Sequence, residues 1–225
     1  ITLNEKSLWR GGPNTPGGAA NYWNANKQSA HILPEIRQAF TDGDQKKAEQ
    51  LTKKNFNGLA SYDADGSPSS FFGNYTTLGE IYIETGLSEI GMSDYKRILS
   101  LDSAMAIVTF NKDNVKYTRT SFVSYPDSVM VLKFTADKPG MQNLAFSYGQ
   151  NPEADGKMIA DGNKGLLYIG KLKDNQMEFA LRIHARHQGG TLTATSDGKL
   201  IAKGADEVVF LLTADTDYQL NFNPD

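Results

Sequence analysis

Two regimes of hydrophobic spacing divide this chain near residue 76. Before that point, Ile32, Leu33, Ile36, Ala39 and Phe40 follow the i, i+3, i+4, i+7 spacing of one helical face,. Pro34 is tolerable there because it falls in the first turn. The run Thr41 to Asp44 interrupts the pattern, and Asp44 is placed to cap a second short helix carrying Ala48 and Leu51 on one face,. Around these helices, residues 11–30 are rich in Gly, Pro and Asn and predict a long ordered loop with Tyr22 and Trp23 as anchors. Residues 57–74 predict a second irregular stretch,.

From Thr76 onward the period is two. Ala104, Ala106, Val108 and Phe110 alternate with Met105, Ile107 and Thr109. A turn over Asn111 to Asn114 leads to a strand with Val115, Tyr117 and Val123. Met130, Leu132 and Phe134 follow, then a turn over Asp137 to Gly140, then Leu144, Phe146 and Tyr148. Further strands are predicted at 166–172, 177–183, 192–195 and 208–212. Their separators, Lys173-Asp174-Asn175, Gly189-Gly190 and Ser196-Asp197-Gly198, are turn chemistry,. So many strands with short connections imply two stacked antiparallel sheets. The expected fold is mainly β: a large antiparallel β-sandwich with a short helical insertion near the N-terminus and no internal repeat.

Composition narrows the function. With 225 residues the chain is long enough to bury a sizeable core, roughly 70% of its unfolded surface,. A net charge of −3, without a dense Lys/Arg cluster, argues against a nucleic-acid partner,. No apolar run approaches the roughly 20 residues that span a bilayer, so no membrane partner is expected. The absence of cysteine removes disulfides, thiolate catalysis and cysteine metal sites,. The opening Ile1-Thr2-Leu3-Asn4, without Met or a polar leader, is expected of a trimmed or excised fragment.

Several constellations invite chemistry, and each has a plainer explanation. His184 and His187 have a metal-like spacing, but in a strand a separation of three puts them on opposite faces, and no third ligand is placed,. Asp63, Asp65 and Gly66 open like a calcium loop, but Asn74 stands where the bidentate Glu belongs,. Glu80 and Glu84 share a strand face about 13 Å apart, wider than the roughly 5–9.5 Å of glycosidase carboxyl pairs. Paired acids on a solvated sheet face are the simpler reading. The glycines of 11–18 do not have phosphate-loop placement. No metal or cofactor is expected. Trp9, Tyr22, Trp23, Phe71, Phe72 and Tyr75 gather in the first third, either as a platform for sugar rings or as pins holding irregular loops,.

The most specific stretch is Leu3 to Pro13. Asn4 and Glu5 precede Leu8 and Trp9, then Arg10 and the turn Gly11-Gly12-Pro13. By physics alone it is a rigid corner that fixes a large aromatic. As a pattern it resembles the Asn-Glu-x-x-Leu-Trp-x-Gly-Gly-Pro signature of the family 95 glycoside hydrolases, best known as exo-acting α-L-fucosidases. Further landmarks occur in the family's order: His31 to Arg37, then Asp42-Gly43-Asp44 with Ala48-Glu49, Leu78 to Ile83, Tyr95 to Asp102, and Tyr117 to Arg119 with Phe122 to Asp127.

The resemblance implies a super-sandwich domain spanning 1–225, non-catalytic and linked in the parent enzyme to an (α/α)6 barrel that holds the catalytic residues. That barrel is the expected partner, and a glycan the expected substrate of the whole enzyme. The expected activity is inverting hydrolysis of terminal α-L-fucose or the related L-galactose, in the periplasm or outside a bacterial cell. The isolated chain is expected to be inactive, with no catalytic residue of its own. Asn4, Glu5, Trp9, Arg10, Gly11 and Gly12 are the expected interface or pocket rim. Trp9, Tyr22 and Trp23 are the candidates for glycan stacking under the rival reading, a stand-alone carbohydrate-binding sandwich. Family members also carry a further N-terminal hairpin ahead of the signature, and its loss would leave a strand edge unpaired.

Overall fold

Alternating side chains can bury one face of a strand only against a second layer. The computed structural model, which describes residues 1–10, 29–56, 60–62, 68–70 and 74–219, has two such layers. In chain order the elements are β1 (Thr2–Leu3), β2 (Trp9–Arg10), α1 (Leu33–Thr41), α2 (Gln45–Phe56), β3 (Ala60–Tyr62), β4 (Pro68–Ser70) and β5 (Asn74–Tyr75). Then come β6 (Gly79–Glu84), β7 (Ser93–Ser100), β8 (Met105–Lys112), β9 (Val115–Ser124), β10 (Val129–Ala136) and β11 (Gln142–Gln150). The last are β12 (Ala154–Ala160), β13 (Gly165–Leu172), β14 (Glu178–Gln188), β15 (Thr191–Ala194), β16 (Leu200–Ala205) and β17 (Glu207–Thr216). The chain divides into two units: Ile1–Leu8 with Thr77–Lys171 and Met177–Asp225, and Trp9–Thr76 with Leu172–Gln176.

The first unit is the sandwich. A five-stranded sheet, β1-β6-β11-β16-β15, faces an eight-stranded one, β12-β13-β14-β17-β10-β9-β8-β7. Aromatic rings join them: Phe146 of β11 lies 4.8 Å from Phe210 of β17, which also meets its sheet neighbour Phe134 edge-on at 6.0 Å. Tyr148 and Tyr168 pack at 4.8 Å. The Tyr148 hydroxyl donates to the Leu78 carbonyl at 2.6 Å, so its burial leaves no orphaned donor,. Both phenols are held above their ordinary pKa, chiefly by burial.

The structure has the expected fold class, and it sharpens several local expectations. The β8–β9 turn is only Asp113-Asn114, with φ of 52° and 57°, because Asn111 and Lys112 already pair with Lys116 and Val115. Two positive φ values are those of a type I′ hairpin, whose twist matches the strands. β7, β12 and β16 lie outside the alternation read from the sequence. β7 carries Asp94, Lys96 and Arg97 among its apolar residues and is exposed along nearly its whole length. β12 begins Ala-Asp-Gly-Lys, and β16 is short with a glycine near its end.

In the second unit α1 and α2 follow the helical spacing. Ser29–Ile32 forms a 3-10 turn that enters α1, with Pro34 in its first turn. The Asp44 carboxylate accepts from the Lys47 N–H at 3.0 Å and so caps α2,. Ile36, Ala39 and Ala48 form the small core, with Ile32 and Leu51 packed on it. The stretch read as irregular contains a short ladder, with Ala60 to Tyr62 paired to Ser70 to Pro68.

Candidate functional site

The signature segment divides between the two units. In the sandwich unit, Leu8 is fully buried and its N–H donates to the Glu5 carbonyl at 3.2 Å, closing a turn. The Glu5 carboxylate accepts from the Ser7 N–H at 2.7 Å and from the Ser7 hydroxyl. The Ser7 oxygen in turn lies 2.6 Å from the Thr216 hydroxyl. Glu5 is thus engaged as an acceptor that ties its own turn to the end of β17. Asn4 is exposed. Asn4 and Glu5 border a groove of about 430 Å³ whose apolar lining includes Leu3, Val123, Met130 and Leu212.

In the other unit, β2 pairs with β5 so that Trp9 stands opposite Tyr75. Their rings meet edge-to-face at 5.4 Å, and both stay about half exposed, Trp9 at 44% and Tyr75 at 48%. The Trp9 carbonyl accepts from Asn175 Nδ2 at 2.7 Å, and Arg10 Nε lies 3.2 Å from Asp174 Oδ2. Asp174 also accepts from the Asn175 N–H at 2.8 Å, so one turn holds both residues of β2. The sequence marks Asp174 and Asn175 only as turn residues. Their hold on a segment 164 and 166 positions earlier has no local signal. Gly11, Gly12, Tyr22, Trp23, Phe71, Phe72 and the Asp63–Gly66 run lie outside the described residues.

The other constellations take definite places. On β14 the burial alternates, so His184 points to solvent and His187 inward, and the pair cannot share one ion,. These are the opposite faces that a spacing of three on a strand predicts. Glu80 and Glu84 are exposed on one face of β6 with Tyr82 between them. The Tyr82 hydroxyl donates to Glu80, and this bond, with the carboxylate's charge, raises the phenol above its ordinary pKa. Among the described residues no group of three His, Asp or Glu is disposed to hold a metal. No described helix is long and apolar enough to cross a membrane.

The family model described as "Glycosyl hydrolase family 65, N-terminal domain" matches residues 1–221. The chain belongs to that family. "Probable alpha-fucosidase A" of Aspergillus niger is 28% identical over 97% of this chain and 26% of its own length. "Alpha-L-fucosidase 2" of Arabidopsis thaliana is 24% identical over the same two shares. "Probable alpha-fucosidase A" of Aspergillus oryzae is 27% identical over 60% of this chain. The chain is thus an N-terminal domain of glycoside hydrolase type that spans about a quarter of the length of the curated relatives it matches.

Proposed function

We propose that this chain is the N-terminal domain of a family 95 α-L-fucosidase-type enzyme, and that its work there is structural. One observation carries the reading: relatives named as α-fucosidases align with 97% of the chain while extending well beyond it. The domain braces an (α/α)6 barrel, and Asn4 to Gly12 form the contact with that barrel or the rim of its pocket. The half-exposed Trp9 ring, on a β2 backbone held by Asn175, supports that placement. Exposed aromatic anchors are common at interfaces.

The full enzyme removes terminal α-L-fucose, or L-galactose, by inversion, with an acid protonating the leaving oxygen while water attacks the opposite face. It works in the periplasm or outside a bacterial cell. The full-length gene product should release fucose from a terminal α-L-fucoside, and residues 1–225 alone should release none. Fucose release by the isolated chain overturns the assignment.

A further inference from the structure

Gln142 is a buried polar side chain with an unmet donor. It opens β11, whose alternation turns Gln142, Leu144 and Phe146 toward the wider sheet,. The residue is 3% exposed, and its Nε2 has no hydrogen-bond partner among the described residues. Asn151, also buried, shows the usual outcome. Its Nδ2 donates to the Thr77 carbonyl at 2.7 Å, and its Oδ1 accepts from the Glu153 N–H at 2.8 Å. An unmet interior amide bears its full desolvation penalty, so such groups are nearly always satisfied by protein or by ordered water.

Gln142 lines a small cavity between the two sheets. Thr85 and Leu144 share its wall, and Tyr117, Arg119 and Phe134 stand on the wider sheet across from them. About 10 Å³ is open to the centre of a water-sized sphere. That is room for roughly one water, and too little for a sugar or a polyatomic anion. Arg119 carries only donors, so it cannot take the Gln142 N–H. The Thr85 hydroxyl oxygen accepts from the Leu87 N–H at a long 3.4 Å and has a second lone pair to offer,. The two polar groups need a molecule that accepts from one and donates to the other. Water does both.

We propose that this cavity is a binding site for one structural water, which accepts from Gln142 Nε2 and donates to Thr85 Oγ1. The β6–β11 ladder ends with Glu84 opposite Ala145. The water therefore prolongs the link between these strands past their last backbone pair, where Thr85 leaves β6 and Gln142 enters β11. It also lets a polar residue occupy an interior position of the sandwich without an orphaned donor.

The test uses the full-length gene product with two variants, Gln142→Met and Thr85→Val. A crystal structure that resolves ordered water should show one water within about 2.7–3.2 Å of both Gln142 Nε2 and Thr85 Oγ1. The Gln142→Met structure, with a side chain of similar length and no N–H, should show none there. Exchange of the amides at 85–87 and 142–145, read by mass spectrometry, is the second arm. Thr85→Val should speed it roughly 2- to 10-fold alone, and by less than about 2-fold in the Gln142→Met background, where the bridge is already gone. A dry cavity, a Gln142 amide that donates to a protein group, or an equal effect of Thr85→Val in both backgrounds overturns the proposal. So does a bromide peak at that place in bromide-soaked crystals, which means that the cavity takes a halide ion. If Gln142→Met does not fold, the density beside Gln142 in the unaltered protein decides.

Discussion

The two units show what length does for a β-ladder. In the sandwich, β14 and β17 pair without a break from Phe179 and Thr216 to Gln188 and Glu207. In the other unit, β2 and β5 pair over Trp9 with Tyr75 and Arg10 with Asn74 alone. A one-residue slip in the first ladder would turn Phe210 and Ile183 from the core to solvent, so hydrophobic burial enforces the register. The second ladder has no such redundancy. Its register is set by individual polar bonds, from Asn175 to the Trp9 carbonyl and from Arg10 to Asp174. The same chain therefore specifies one unit by pattern and the other by particular side chains.

The contrast breaks most clearly in the cores. Phe210 is fully buried and touches Phe134 and Phe146. Phe210→Ala should cost about 3–5 kcal/mol and speed amide exchange throughout both sheets. Ile36 belongs to the small cluster with Ala39 and Ala48. Ile36→Ala should cost roughly 2–3 kcal/mol, near the low end for such changes, and speed exchange in α1 and α2. If Ile36→Ala loosens the sandwich amides equally, the units are one cooperative structure and the contrast fails.

This division also decides how much was legible beforehand. The strands with clean alternation, β8 to β11, β13, β14 and β17, are written in the sequence because one face must be dry. β7 was not, because its face remains open to solvent and its residues need not alternate: Leu99 is 71% exposed. Helix α2 was legible from Asp44, Ala48 and Leu51, since capping and apolar spacing are both local. The corner at Trp9 was visible as a motif, but its ties to Asp174 and Asn175 and the bond between Ser7 and Thr216 join distant residues. No periodicity reports such contacts.

Alkali should separate the units by a smaller margin. Tyr148 and Tyr168 are buried in the sandwich with phenol pKa values raised above the ordinary 10. Below pH ~10 both are neutral in the folded and unfolded states, so their burial carries no pH dependence. Above it the unfolded chain loses these protons and the folded one retains them. Stability therefore falls as pH rises, by up to about 1.4 kcal/mol per pH unit for each phenol. Tyr148→Phe should flatten that slope in urea titrations between roughly pH 10 and 11. It should also cost about 1 kcal/mol at neutral pH through the lost bond to the Leu78 carbonyl,. An unchanged alkaline slope would mean that other groups set it.

The smallest effect tests the claim that the second unit depends on single side chains. Asp44 is exposed and contributes nothing to the core, yet its carboxylate satisfies the Lys47 N–H at the start of α2. It also stands at the positive end of that helix dipole. Asp44→Ala removes both and should cost about 1 kcal/mol. Asp44→Asn keeps the capping oxygen and should recover most of the loss. Exchange of the first-turn amides of α2 reads this directly: they should open faster in the Ala variant and near the native rate in the Asn variant. Equal behaviour of the two variants would show that the cap acts through charge rather than through the hydrogen bond. No change in either would mean that packing of Ala48 and Leu51 alone holds the helix, so that this unit too is specified by pattern.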